Sequence, residues 1–219
     1  SGYSQLENSF VGGFIGSIRN SPFFTATIQN STLQSIVDGS VANTYCSVGG
    51  LIGEVDNCSN MSLTSTGWQS NTCSIEMNVK TEIRQFGYFG GIVGRILNCN
   101  NATVSVANGI NSCRFGAKGE IQTVGGGLFG QLSSNNQTNI IMDNMTNNRE
   151  FKYSRVTEKI HCGGIIGQIS DSWNDTLTIT NTVNNGPIIF DVDLVVNIAG
   201  FIGYCGTLTS TTISFENCS

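Results

Sequence analysis

The stretch VGGLIG, from Val48 to Gly53, occurs in five further versions along the 219-residue chain. These are VGGFIG from Val11, FGGIVG from Phe89, GGGLFG from Gly125, CGGIIG from Cys162 and IAGFIG from Ile198. The closing glycines are spaced by 37, 41, 36, 37 and 36 residues, at Gly16, Gly53, Gly94, Gly130, Gly167 and Gly203. A near-constant period of this length is the sequence signature of a repeat architecture such as a solenoid or a propeller.

A second element accompanies each hexapeptide, namely an apolar residue, any residue and then asparagine. It ends at Asn30, Asn57, Asn98, Asn144, Asn181 and Asn217. In the second and third repeats it lies ten residues nearer the hexapeptide, yet the period is kept. We interpret this as a loop that moves within a coil of fixed circumference. Because asparagine tolerates left-handed backbone angles, we expect these residues to mark corners and to stack into ladders.

The hexapeptide is apolar on both faces of an extended chain, which is typical of a strand that is covered on both sides. Its β-branched residues and phenylalanines favour a strand over a helix. We expect it to be the core strand of every coil, with its glycines leaving room for a neighbouring Phe or Leu. Stacking would then align two apolar columns, Phe14, Leu51, Ile92, Leu128, Ile165 and Phe201 beside Ile15, Ile52, Val93, Phe129, Ile166 and Ile202. The sequence predicts an all-β solenoid of about six coils of 36–41 residues, forming a single repeat domain over residues 1–219.

The G-L-[IV]-G core followed by apolar-x-Asn-Cys resembles the GLUG repeat, and the stretch GGLIGEVDNCSN, Gly49 to Asn60, carries the resemblance most fully. That family occurs in large surface proteins and adhesins of bacteria and single-celled eukaryotes. The chain departs from the pattern at Ala199, which replaces a glycine, and at Met145 and Thr182, which replace the cysteine after asparagine. The resemblance implies a β-rich extracellular repeat protein without a fixed enzymatic activity.

Composition excludes some classes of partner. The formal net charge is −5, and no basic run occurs, which argues against a nucleic-acid surface. Apolar stretches all fall well short of 18 residues, so we expect no membrane insertion.

Two signals favour an extracellular or cell-surface location. Eight cysteines suggest an oxidising compartment, and none lies in a zinc-type CxxC pair. Acceptor sequences for N-glycosylation begin at Asn30, Asn57, Asn60, Asn101, Asn136, Asn144, Asn174 and Asn217, and the weaker N-x-C form begins at Asn71 and Asn111.

The cysteine spacing suggests disulfides. Cys58 and Cys73 recur about one period later as Cys99 and Cys113. Our first expectation is therefore Cys58–Cys73 and Cys99–Cys113, each enclosing a short insert, with Cys205–Cys218 as a third pair in the last repeat. The alternative is that Cys58 and Cys99 stack and bridge neighbouring coils. We expect Cys46 and Cys162 not to pair with each other, because they lie three repeats apart.

Catalytic chemistry has little support. The sole histidine, His161, adjoins Cys162, but neighbouring residues of a strand point to opposite faces, so the two do not form a nucleophilic pair. Cys162 occupies an apolar position of the hexapeptide, and we expect it to be buried. The sequence thus predicts no enzyme and no cofactor or metal.

Acidic and aromatic side chains keep a second class open, a carbohydrate-binding or carbohydrate-cleaving solenoid. The acids are Asp191 and Asp193 on one strand, and Asp171 and Asp175 in a loop of the same repeat. Paired carboxylates serve acid–base catalysis or bind Ca²⁺, but neighbouring repeats supply no matching acids, so a solvated strand edge is the favoured explanation. The aromatic candidates are Trp68 and Trp173, which lie in polar inserts and could stack on a sugar or cap a coil.

The ends of the sequence suggest an assembly. The chain stops at ISFENCS, in mid-repeat, and begins with what reads as the tail of a repeat. A solenoid leaves unpaired strand edges at both ends, so we expect end-to-end self-association or adjoining repeats. The first function class is accordingly an extracellular structural or adhesive protein, a glycosylated filament with a possible carbohydrate or cell-surface ligand.

Overall fold

The computed structural model describes residues 9–34, 36–38, 45–70, 74–78, 85–118, 121–154, 159–191 and 196–219. Within these ranges the regular structure consists of strands alone, numbered β1 to β28 in chain order. All of the strand pairs are parallel, and each strand pairs with its counterpart about one repeat away. The predicted all-β solenoid is confirmed.

Four sheets run along the solenoid. The first contains β1 (Ser9–Gly12), β6 (Tyr45–Gly49), β11 (Gln85–Gly90), β15 (Ile121–Gly126), β19 (Ile160–Gly163) and β25 (Val196–Ala199). The second contains β2 (Ile15–Arg19), β7 (Ile52–Asp56), β12 (Val93–Leu97), β16 (Phe129–Ser133), β20 (Ile166–Ser170) and β26 (Ile202–Cys205).

The third sheet contains β3 (Thr25–Gln29), β8 (Ser62–Thr66), β13 (Thr103–Asn111), β17 (Asn139–Asn147), β22 (Thr176–Thr180) and β28 (Thr212–Glu216), and the short strands β4 (Thr32–Leu33), β9 (Gln69–Ser70) and β23 (Val183–Asn184) extend it. The fourth contains β5 (Ile36–Asp38), β10 (Ser74–Asn78), β14 (Arg114–Lys118), β18 (Phe151–Ser154) and β24 (Ile188–Asp191). A two-stranded pair, β21 (Ser172–Trp173) and β27 (Leu208–Thr209), lies between the second and third sheets of the last two repeats.

The last repeat supplies no strand to the fourth sheet in the part of the chain that the structure describes. The number of complete turns is therefore lower than the six coils predicted. The predicted stacking of hexapeptides is confirmed, since Ile15, Ile52, Val93, Phe129, Ile166 and Ile202 pair in one unbroken column.

The hexapeptide is not one core strand, as the sequence suggested. It is the end of one strand, a tight turn and the start of the next, because β6 ends at Gly49 and β7 begins at Ile52. The chain thus folds back on itself, and the first and second sheets lie face to face.

The glycines make this arch possible. A Cβ on Gly49 would overlap the carbonyl oxygen of Ile52, and one on Gly53 would lie 2.7 Å from the backbone nitrogen of Val11. The glycines therefore leave room for backbone, not for a neighbouring Phe or Leu as expected. The first and second sheets approach so closely that a side chain does not fit between them near the turn.

The arch divides the apolar interior into two parts. The larger core packs between the second and third sheets and includes Ile52, Val55, Leu63, Val104 and Met142. A smaller one, between the first and fourth sheets, contains Val48, Phe89, Phe115, Phe151, Tyr153 and Cys162.

Corners are formed by residues with left-handed backbone angles, as predicted for asparagine. The positive-φ residues fall into three columns, Asn20, Asn57, Asn98, Ser134 and Asp171, then Phe23, Asn60, Asn101, Gln137, Asn174 and Ser210, then Asn30, Gly67, Asn108, Asn144, Asn181 and Asn217. Side-chain ladders follow these columns, for example from Asn57 Nδ2 to Asn20 Oδ1 at 2.6 Å.

One alignment made from the sequence was wrong. Asn57 and Asn98 follow strands of the second sheet, whereas Asn30 follows β3 and Asn144 lies within β17 of the third sheet, so the second element of the repeat occurs at two different corners. The true equivalent of Asn30 in the second repeat is Gly67, because Gln29 pairs with Thr66. The predicted movement of a loop between repeats is therefore wrong. The apolar-x-Asn sequence occurs at the corner after the second sheet in some repeats and at the corner of the third sheet in others.

The close approach at the arch predicts the effect of one added methyl group. In Gly90→Ala the Cβ would overlap the carbonyl oxygen of Val93 and lie 2.7 Å from that of Leu128. We expect the free energy of unfolding to fall by about 3 kcal/mol. Denaturant unfolding followed by circular dichroism measures it. In the control Gly116→Ala, where the nearest atom is 4.0 Å away, we expect little change, and an equal loss in both variants would contradict the role of the arch.

Candidate functional site

The two terminal coils expose side chains that the inner coils bury. The column of Phe14 shows this directly, since Phe14 is 54% exposed whereas its inner counterparts Leu51, Ile92, Leu128 and Ile165 are buried. At the other end Ile198 and Phe215 are 44% and 48% exposed. The strands of the first and last coils are also the outermost strands of their sheets. Within the described ranges, apolar surface and strand edges without a neighbouring strand therefore coincide at both ends.

The histidine does not meet the adjacent cysteine. His161 stacks on Tyr204 at 4.6 Å between centroids, and its Nδ1 lies 2.9 Å from Asn197 Nδ2. Burial lowers the pKa of His161 and, on the opposite face of the strand, raises the pKa of Cys162 to about 12. Cys162 is buried, as predicted. This geometry provides no activated thiolate.

The acidic candidates do not converge in the described residues. Asp175 Oδ1 accepts a hydrogen bond from the backbone N–H of Thr138 at 2.8 Å, so this carboxylate holds two coils together. Burial raises its pKa. Asp171 lies at an exposed left-handed corner. Asp193 and the side chain of Asp191 lie outside the described residues.

The two tryptophans differ in environment. Trp68 is only 1% exposed and belongs to the larger core, where it contacts the arch beside Gly50, so it is not available to stack on a sugar. Trp173 is 43% exposed beside the second corner column. The sugar-stacking hypothesis therefore rests on Trp173 alone.

The predicted disulfide pairs are wrong. Cys58, Cys99, Cys205 and Cys218 are free, so Cys58–Cys73, Cys99–Cys113 and Cys205–Cys218 are not formed. The physical reason is that Cys99 lies before the long strand β13 and Cys113 lies after it, and β28 likewise separates Cys205 from Cys218. Cys113 is disulfide-bonded, and Cys73 lies outside the described residues. The alternative bridge between Cys58 and Cys99 is also absent, as is a Cys46–Cys162 link.

The glycosylation candidates lie at the corners. Asn30, Asn57, Asn60, Asn101, Asn144, Asn174 and Asn217 are exposed, and Asn136 is half-buried. Asn111, which begins an N-x-C sequence, is instead fully buried, and its Nδ2 donates to Gly127 O at 2.6 Å and to Asn147 Oδ1 at 2.9 Å. Asn71 lies outside the described residues.

A charged cluster that the sequence analysis missed lies on the second sheet. Each oxygen of the buried Glu54 carboxylate accepts from one arginine, at 2.7 Å from Arg19 Nη2 and 2.6 Å from Arg95 Nη2. Arg19 also lies over the ring of Phe10, and Arg95 over that of Tyr88. Part of the signal was present in the repeat, because Glu54 and Arg95 occupy equivalent positions of successive coils, whereas Arg19 lies two residues along the neighbouring strand.

A buried cation, Arg149, lies between the first and fourth sheets. Arg149 is fully buried and lies 5.0 Å from the ring centroids of both Phe115 and Phe151. Its Nη1 donates to Gly126 O at 3.3 Å. Burial lowers its pKa to about 10, so the guanidinium stays protonated at neutral pH. Nothing in the periodic pattern indicated a charge here.

Comparison of the chain with protein families, with curated proteins and with solved structures finds no match. Among the described residues no helix is long and apolar enough to cross a membrane, and no group of three or more metal-binding side chains comes together.

The arginine–glutamate cluster predicts an asymmetric response to substitution. Glu54→Gln leaves two guanidinium groups without their shared counter-charge, and we expect a loss of about 3 kcal/mol in the free energy of unfolding. The matched change Arg19→Gln removes a half-exposed partner while Arg95 still pairs with Glu54, so its cost is smaller. Chemical denaturation of both variants measures the difference. Equal losses of stability in the two variants would contradict this, because they would show that Arg95 alone does not stabilise the Glu54 carboxylate.

Proposed function

We propose that the chain is a structural or adhesive β-solenoid module of the cell exterior, which lengthens by strand pairing at its terminal coils. The observation that carries the proposal is the coincidence of open strand edges with exposed apolar side chains at both ends. The covering coils come from a second copy or from adjoining repeats. Pairing in register would place Phe201 beside Phe14 and Ile202 beside Ile15, continuing the two apolar columns.

Continuity of chemistry supports a head-to-tail junction. The edge strands of the last coil, β25, β26 and β28, end the first three sheets on the side opposite to β1, β2 and β3. Because the sheets are parallel throughout, the pairing surface of one end matches that of the other, as a heterologous interface requires. Such an interface generates a filament when the rotation between successive copies does not close a ring, as expected for coils stacked along one axis.

Location outside the cell is supported by the glycosylation candidates. The acceptor asparagines are spread along the sequence, but in the fold seven of the eight lie at exposed corners. Glycans there would keep the lateral surface soluble although only 11% of the residues are charged. The cysteines give little support to an oxidising compartment, since the described thiols other than Cys113 are unpaired.

The carbohydrate-active alternative keeps one supporting observation, the exposed Trp173 beside Asp171. A binding role needs further aromatic or polar groups converging on the same surface. In the described residues Asp175 is engaged in holding neighbouring coils and Trp68 is buried. We therefore place this second.

Head-to-tail assembly predicts how two single variants behave when mixed. Phe14→Lys places a charge on the first coil, and Phe215→Lys places one on the last. Each variant keeps one competent end, so each should remain monomeric alone, whereas an equimolar mixture should form heterodimers and the wild type filaments. Analytical ultracentrifugation and electron microscopy distinguish these states.

The control is Phe86→Lys, since Phe86 is exposed on an inner coil, and this variant should assemble like the wild type. A wild-type chain that stays monomeric at all concentrations would overturn self-association and leave adjoining repeats as the partner of the edges.

Secretion predicts a specific pattern of modification. In material secreted by a eukaryotic cell we expect N-glycans at the exposed corner asparagines Asn30, Asn60 and Asn174 and at the half-buried Asn136, and none at the buried Asn111. Enzymatic deglycosylation in heavy-oxygen water followed by peptide mass spectrometry locates each site. Unchanged mass after the enzyme treatment would contradict the secretory assignment.

A further inference from the structure

The outward face of the third sheet carries two columns of hydroxyl side chains. The first is Thr25, Ser62, Thr103, Asn139, Thr176 and Thr212, and the second is Thr27, Thr64, Ser105, Ile141, Thr178 and Ser214. Ten of these twelve residues are Ser or Thr, and both exceptions lie on β17. The twelve side chains are exposed or half-exposed.

The two columns form a regular mesh. Each strand pairs with the next in one-to-one register over these positions, so hydroxyls recur about 4.8 Å apart between coils and about 6.6 Å apart along each strand. The residues between them point inward and are buried, for example Leu63, Val104 and Leu177. That packing holds the face rigid before anything binds.

These hydroxyls are available to a ligand. Among the hydrogen bonds between described residues, only one of the ten donates within the protein, from Ser214 Oγ to Leu177 O at 3.4 Å. The others face solvent. Threonine adds a methyl group beside each hydroxyl, so the face alternates polar and apolar points on the same mesh.

The chemistry of the face excludes the usual anchors of other ligands. Neither column contains a charged or aromatic side chain, and the acidic residues of this face, Asp143 and Glu216, lie in the next outward column along the strands. Protein interfaces rely on Trp, Tyr and Arg, and an aromatic platform for sugar stacking is missing here. An uncharged, rigid mesh of hydroxyl and methyl groups is complementary to an uncharged lattice with a matching repeat.

We propose that this face binds ice. The oxygen atoms on a prism face of hexagonal ice also repeat on a rectangular mesh, whose shorter repeat is close to the spacing between coils and whose longer repeat is somewhat greater than the spacing along a strand. The hydroxyl groups would take the place of lattice water molecules and the methyl groups would lie between them. Because the face is already ordered, little conformational entropy is lost on binding. The inference does not depend on assembly, since one chain carries the whole face.

The two exceptions on β17 give a gain-of-function test. In Asn139→Thr with Ile141→Thr both columns become unbroken, and we expect stronger incorporation into a growing ice front and stronger inhibition of ice recrystallisation than for the wild type. In Ser105→Lys a long charged side chain stands at the centre of the mesh, and incorporation should fall to the level of a protein that does not bind ice. The control Ile189→Lys places the same charge on the exposed face of the fourth sheet and should leave incorporation unchanged.

Circular dichroism of each variant confirms that the fold is intact before the comparison. The proposal is overturned if the wild type is excluded from ice, or if Ser105→Lys and Ile189→Lys reduce incorporation equally. Binding to microcrystalline cellulose or chitin that Ser105→Lys abolishes, without incorporation into ice, would also overturn it and would assign the same face to a crystalline polysaccharide. A negative result for ice binding does not bear on head-to-tail assembly, because assembly is tested separately by sedimentation of the Phe14→Lys and Phe215→Lys variants.

Discussion

The backbone-to-backbone contact between the first and second sheets determines the shape of every coil. Because Gly49 and Gly53 have no side chain, the chain turns back within two residues and the two sheets meet directly. This arch separates the coil into two cores, one lined by Val55 and Leu63 and the other by Phe89 and Phe151. A side chain at the glycine positions would push the sheets apart in every coil that pairs with it.

The asparagine ladders have a supporting role at the corners. A left-handed residue costs about 1 kcal/mol or more for most side chains, and asparagine reduces that cost by local hydrogen bonding. Stacking adds a second benefit, since the amide of Asn144 donates to Asn108 Oδ1 at 2.8 Å. A buried ladder through Asn111 and Asn147 also satisfies the carbonyls of Gly127 and Gly164 at the tip of the arch. The turn of the arch is thus held from the third sheet.

The period and the stacked columns were predictable because each rests on a pattern that repeats at fixed spacing. The two corners were not distinguished, because Asn57 and Asn30 meet the same backbone requirement and carry the same local signature. The predicted disulfide pairing was wrong for a related reason, since the number of residues between two cysteines does not reveal that β13 separates Cys99 from Cys113. Trp68 was placed in a polar insert, yet it fills the space beside Gly50, which only the folded arch creates. The burial of Glu54 and Arg149 was not predictable either, because the side chains that accommodate their charges come from other coils or strands.

Different constraints determine which residues are exposed at the ends and on the lateral face of the solenoid. At an end the exposed side chains are those of the core column, so Phe14 and Phe215 are apolar because their inner counterparts must be. Another coil of the same kind would cover that surface and continue the columns, as proposed above. On the lateral face of the third sheet the core places no requirement on the outward residues, because burial is met by their inward neighbours. A ten-in-twelve preference for hydroxyl side chains there is therefore not explained by packing, and β-propensity alone would admit Val, Ile, Tyr and Phe as readily as Thr. The absence of these residues from all but one position is what points to a ligand that the face must match.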